Sequence, residues 1–78
     1  MKATVNITLK NGILDPQGKA IEKALYSLEF NNISNVKVSK QIVFDINTND
    51  KNKALEQIHA MCEQLLANTI IEDYEIIL

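Results

Sequence analysis

The sequence contains no arginine, no tryptophan, one cysteine and one proline among its 78 residues. Without arginine, the chain cannot form bidentate guanidinium contacts with phosphate or carboxylate groups. The single cysteine, Cys62, excludes an intrachain disulfide and argues against a cysteine-based zinc site within one chain. No apolar run exceeds three residues, so the sequence predicts neither a secretory signal nor a membrane-spanning segment. We therefore expect a cytoplasmic protein.

Charge and size narrow the function further. Eight lysines stand against ten acidic residues, for a net charge of −2, and this leaves no basic surplus for binding a phosphate backbone. The hydrophobic fraction of 46% predicts one folded domain spanning residues 1–78. A chain this short buries only about 60% of its unfolded surface. The marginal core favours self-association or a permanent partner.

Periodicity predicts six elements in the order strand, helix, strand, strand, helix, strand. Apolar residues alternate from Ala3 to Leu9, Asp15 and Pro16 begin the first helix, and Asn31 follows its end. Val36 and Val38 mark a short second strand that is expected to pair with the next one. The later members are a strand with Ile42, Phe44 and Ile46, a helix with the stripe Ala54, Leu55, Ile58, Met61, Cys62, Leu65 and Leu66, and a final strand with Tyr74, Ile76 and Leu78.

This order predicts an α+β, ferredoxin-like βαββαβ fold. Its four-stranded antiparallel sheet carries both helices on one face. The first helix has an apolar stripe of Ile21, Ala24, Leu25 and Leu28, which we expect to pack on that sheet.

No group of residues predicts catalysis or metal binding. His59 and Cys62 lie one helical turn apart, but Cys62 falls inside the apolar stripe, where a cysteine usually acts as a small hydrophobe. Glu72 and Asp73 point to opposite sides of a strand and cannot flank one bond. One histidine gives no metal-ligand spacing. We expect no catalytic, cofactor-binding or metal-binding residue.

Gly18 is harder to explain from local structure. It falls in the first turn of the first helix, where glycine costs about 1 kcal/mol relative to alanine. Either the N–H groups there receive an anion, with Lys19 beside them, or the glycine packs against a neighbouring element.

Two separated segments give the chain a resemblance. Leu14-Asp15-Pro16-Gln17-Gly18-Lys19-Ala20 and the stretch from Met61 to Tyr74 resemble the PurS family, the small subunit of phosphoribosylformylglycinamidine (FGAM) synthase. The resemblance implies a ferredoxin-like homodimer, or a dimer of dimers, in purine biosynthesis. It implies a non-catalytic chain that bridges a glutaminase subunit and an ATP- and Mg-using synthetase subunit and assists ammonia transfer between them.

The contact surfaces are expected on the two segments that carry the resemblance. The predicted partner-contact residues are Leu14, Asp15, Pro16, Gln17, Gly18, Lys19, Asn68, Thr69, Glu72, Asp73 and Tyr74.

Two other classes share the predicted fold plan. One is a regulatory module of the ACT type, which binds small effectors at a dimer interface. The other is an acylphosphatase-like hydrolase, which relies on arginine to hold phosphate, so the lack of arginine argues against it. Neither a nucleic acid nor a membrane is an expected partner.

Overall fold

The computed structural model describes all 78 residues, Met1–Leu78. Three strands form one antiparallel sheet in the order β2-β1-β3: β1 is Lys2–Leu9, β2 is Lys40–Asp45 and β3 is Glu72–Ile77. The helices are α1, Pro16–Ser27, and α2, Lys51–Met61, and the last turn after α2 is a π-helix over Cys62–Leu66. None of the helices is both long and apolar enough to cross a lipid bilayer.

The hydrophobic core lies between the sheet and α2. Central strand β1 buries alternate side chains, as its sequence pattern predicts, and α2 contributes one helical stripe. We call this unit, the sheet with α2 and its π-helical turn, the body. The eight buried apolar residues all belong to it or to its loops: Ala3, Val5, Ile7, Ile46, Ala54, Ile58, Cys62 and Ala67.

Residues 16–39 form a separate projection, which we call the arm. It consists of α1 and the segment 28–39, which returns alongside α1 to β2. The chain extends over 49 × 24 × 15 Å, and its radius of gyration is 16.1 Å. A compact domain of this length has a radius of gyration of about 11.5 Å. The arm therefore stands away from the body.

The coarse α+β prediction is confirmed, with two helices and an antiparallel sheet. The four-stranded sheet is wrong for this chain, because Val36 and Val38 do not pair with β2. Their N–H groups donate instead to carboxylates of the arm, Val36 to Glu22 over 3.1 Å and Val38 to Asp15 over 2.8 Å. The prediction that α1 packs on the sheet is also wrong, since the packing contacts join β1 with β2, β1 with β3, and α2 with β3.

The helix boundaries follow local chemistry. Asp15 caps α1 with Pro16 in the first turn, and Asp50 caps α2, as predicted. The end of α1 differs from the prediction, because Glu29 rather than Asn31 adopts a left-handed conformation, at φ 71°. The N–H of Phe30 then donates to the carbonyl of Leu25 over 3.0 Å and closes the last turn.

Candidate functional site

A half-open cavity of about 430 Å³ lies where the arm joins the body. We call it the base pocket. Its apolar wall comes from β1, from the loop before α1 and from the approach to β3, and its polar rim carries Asp15, Lys40 and Glu72. The twelve residues that line it are Ile7, Leu9, Ile13, Leu14, Asp15, Pro16, Gln17, Val38, Ser39, Lys40, Ile71 and Glu72.

Asp15 fastens both chains of the arm at the edge of this pocket. One carboxylate oxygen accepts the N–H of Gly18 over 2.8 Å and the other accepts the N–H of Val38 over 2.8 Å. The bonds from Gly18 and Val38, then from Gln17, together with the charge of Lys37, hold the pKa of Asp15 below its usual value. Asp15 is thus an ionised structural clamp.

Gly18 is required by a close approach of backbone. A Cβ atom at this position would lie 2.3 Å from the carbonyl oxygen of Val36 and 2.9 Å from a carboxylate oxygen of Asp15. No side chain fits in that space. Of the two interpretations left open by the sequence, packing against a neighbouring segment is the one that the structure bears out.

Glu72 closes the opposite side of the pocket. Its carboxylate accepts the N–H of Asn68 over 2.7 Å and pairs with Lys40 over 3.3 Å. The bond from Asn68, followed by the bond and charge of Lys40, lowers the pKa of Glu72. Asn68 in turn accepts the N–H of Ile70 over 3.3 Å and orders the turn that leads into β3. The rim is therefore ionised and internally paired.

The structure brings together only part of the predicted contact set. Leu14, Asp15, Pro16, Gln17 and Glu72 line the base pocket. The others lie around it or elsewhere: Gly18 and Lys19 on α1, Asn68 and Thr69 in the exposed turn before β3, Asp73 in an exposed ion pair with Lys10, and Tyr74 on β3 beside His59.

Sequence reasoning missed three classes of pocket residue. Ile13, Val38 and Lys40 also line the cavity, and each is remote in sequence from Glu72. Charge complementarity between Lys40 and Glu72 was a signal, but opposite charges in a short chain offer many pairings. Only the strand register selects this one.

The groups with chemical potential outside the pocket do not form a catalytic site. Burial raises the pKa of the Cys62 thiol, with a smaller contribution from Glu63, and its side chain is fully buried. The hydroxyl of Tyr74 and Nδ1 of His59 are hydrogen-bonded over 2.7 Å. Desolvation, then Glu63, raises the pKa of Tyr74. No three histidine, cysteine or acidic side chains converge as a metal site would require.

Comparison with known proteins places this geometry in a family. Residues 2–78 match the family model of PurS, described as phosphoribosylformylglycinamidine (FGAM) synthase. The chain belongs to the PurS family. The PurS subunit of Methanocaldococcus jannaschii is 45% identical over 75 residues, which are 96% of this chain and 90% of that one. The PurS subunit of Bacillus subtilis is 41% identical over 73 residues, covering 94% of this chain and 86% of that protein.

Solved PurS structures share the fold over nearly the whole chain. The crystal structure of the M. jannaschii protein has a TM-score of 0.87 at 45% identity and covers 97% of this chain and 92% of that chain. A chain in the structure of PurLQS from Thermotoga maritima has a TM-score of 0.88 at 28% identity, covering 97% of this chain and 93% of that one. The similarity therefore includes both arm and body.

Proposed function

We propose that this chain, a small subunit of FGAM synthase in purine biosynthesis, has no active site of its own and bridges the glutaminase and synthetase subunits. It assists transfer of ammonia from glutamine to formylglycinamide ribonucleotide, which yields FGAM and glutamate. ATP and Mg are used by the synthetase subunit. The observation that carries the proposal is the PurS match over residues 2–78, together with the similarity to a chain of a PurLQS structure.

The chemistry of the chain supports a role without catalysis. The carboxylates of Asp15 and Glu72 are occupied by backbone N–H groups, and their lowered pKa values make them poor proton donors. Cys62 is buried with a raised pKa, so its thiol is a poor nucleophile. The side chains at the base pocket hold the backbone in place and leave no acid, base or nucleophile free.

A bridging subunit answers a physical need of this reaction. Ammonia near neutral pH is mostly protonated, and ammonium is not a nucleophile. Transfer between two active sites must therefore take place inside an assembly that excludes water. A small chain that holds two larger subunits in register meets that need by binding alone.

The two segments that carry the family resemblance are the proposed contact surfaces. The first runs from Leu14 to Lys19 beside the base pocket, and the second from Asn68 to Tyr74 at the entry to β3. Within the second, Ile70 leaves 83% of its surface exposed, although it is a large aliphatic side chain. We propose that this turn contacts a larger subunit and that the chain also associates with itself.

Reconstitution tests the bridging role. The purified synthetase and glutaminase subunits are assayed for FGAM synthesis with and without this chain, using glutamine or an ammonium salt as nitrogen donor. We expect the chain to be required with glutamine and dispensable with ammonium. Equal glutamine-dependent synthesis without the chain would refute the proposal.

A matched pair of variants tests the turn before β3. Ile70 and Leu65 are both aliphatic and both 83% exposed, but only Ile70 lies in a proposed contact segment. Ile70→Lys should weaken binding to the larger subunits by roughly tenfold or more, as burial of an unpaired charge in an interface does, whereas Leu65→Lys should not. Equal effects of the two substitutions would reject this turn as the contact.

A further inference from the structure

The arm carries an apolar stripe that its own chain leaves uncovered. Leu14 is 73% exposed, Ile21 45% and Leu28 67%, and these residues repeat at seven-residue intervals along one side of α1 and its approach. Ala24 lies on the same side, and Phe30, just beyond the helix, is 55% exposed. The stripe contains no charged residue.

The exposed area of the chain is also larger than its mass predicts. The chain exposes 5904 Å², whereas a folded monomer of 8.8 kDa exposes roughly 4,800 Å², an excess of about 1,100 Å². A standard protein interface buries about 800 Å² on each partner. The arm thus provides enough extra surface for one stable interface.

The two ends of the arm are complementary to each other. At its base the half-open base pocket presents an apolar wall, and at its tip Leu28 and Phe30 project. The ends are separated by the 12 residues of α1, which is about 18 Å long. A projecting apolar tip cannot reach the pocket of its own chain at this distance, but it can reach that of a second chain lying antiparallel.

A two-fold axis near Ile21 and Ala24 brings both tips to both pockets at once. Such an isologous contact closes after two copies. The small side chain of Ala24 permits close approach of the two helices. The rim of the pocket adds no unpaired charge to the contact, because Lys40 is paired with Glu72 and Asp15 accepts backbone N–H groups.

We infer that the arms of two copies pack antiparallel along this stripe, so that Leu28 and Phe30 of each copy fill the base pocket of the other. Each pocket is then complete only in the dimer. The inference deepens the proposed self-association and rests on it. It assigns the base pocket to the second copy and leaves the exposed turn around Ile70 to the larger subunits.

Sedimentation of variants tests the arm contact. The wild-type chain should sediment at twice its 8.8 kDa mass. Ile21→Lys sets two like charges against each other at the axis, and we expect the dissociation constant to rise roughly 30-fold or more, as for an interface hot spot. Leu65→Lys, an equally drastic change on an exposed residue outside the arm, should leave the dimer intact.

Chemical cross-linking tests the same contact without breaking it. Ala24→Cys beside the axis should give a covalent dimer with a short bis-maleimide, and Leu65→Cys should not. Cys62 is fully buried and does not compete for the reagent. A monomeric wild-type chain would overturn the inference. So would a dimer that survives Ile21→Lys and shows no Ala24→Cys cross-link, since its contact must then lie elsewhere.

The reconstitution assay separates this inference from the proposed function. Arm-mediated dimers together with glutamine-dependent synthesis that needs no added chain would leave the inference standing and remove the bridging role. Loss of synthesis without the chain, combined with arms that do not cross-link, would do the reverse.

Discussion

The body and the arm keep their shapes by different forces. Every member of the apolar core lies in the body, whereas the only buried residue of the arm is Gly18. The arm is held by polar contacts from α1 to the returning segment, through Asp15, Glu22 and the hydroxyl of Tyr26, which donates to the carbonyl of Ile33 over 2.8 Å. A region with few buried apolar contacts opens locally at low free energy.

This difference assigns separate tasks to the two regions. The body can fold as a cooperative unit because its stability comes from burial, which is insensitive to charge. The arm leaves its apolar side exposed and relies on one carboxylate clamp and one glycine contact. A partner that covers the arm therefore also stabilises it.

The largest effect is expected in the body. Ile58 is fully buried on α2 against the sheet, and Ile58→Ala should lower the free energy of unfolding by about 2–5 kcal/mol through lost burial and a residual cavity. Urea titration followed by circular dichroism measures this loss. Leu55→Ala, on an exposed position of the same helix, is the control and should cost less than about 1 kcal/mol. Similar losses for both variants would contradict a core centred on Ile58.

The sequence predicts the body well and the arm poorly. Alternation in β1 and the Ala54, Ile58 and Cys62 stripe of α2 are local patterns whose partners lie in the same chain, so the core follows from them. The stripe through Ile21 shows that a helix face is to be covered, but periodicity does not say which chain covers it.

The missing strand has a similar explanation. Val36 and Val38 have strand-like alternation, but their N–H groups are taken by carboxylates 14 and 23 residues earlier in the chain. Such long-range competition leaves no local signal. The base pocket was half predicted for the same reason: Leu14 and Glu72 lie in recognisable segments, whereas Lys40 joins the site only through the strand register.

A smaller and local effect is expected from Gly18→Ala. Alanine favours the helix by about 1 kcal/mol, but its Cβ would overlap the Val36 carbonyl oxygen, and this backbone atom must move away. We expect faster amide hydrogen exchange at Val36 and Val38, with the free energy of unfolding of the body changed by less than about 1 kcal/mol.

The control for Gly18→Ala is Lys23→Ala, an exposed position on the same helix. It should leave exchange at Val36 and Val38 unchanged. If Gly18→Ala slowed exchange at these amides, the returning segment would be free to accommodate a side chain, and the arm would not depend on this close approach.

The smallest effect is expected from acid. Because the pKa of Asp15 is lowered in the folded arm, its stabilising contribution is complete above the pKa of the unfolded chain and is lost as the pH falls through the folded value. Exchange at Gly18 and Val38, corrected for the intrinsic pH dependence of amides, should then accelerate on acidification before the Ile58 amide does. Asp15→Asn should remove this acid transition and leave the arm loosened already at pH 7. If the body opened first, the division between a charge-held arm and a burial-held body would be wrong.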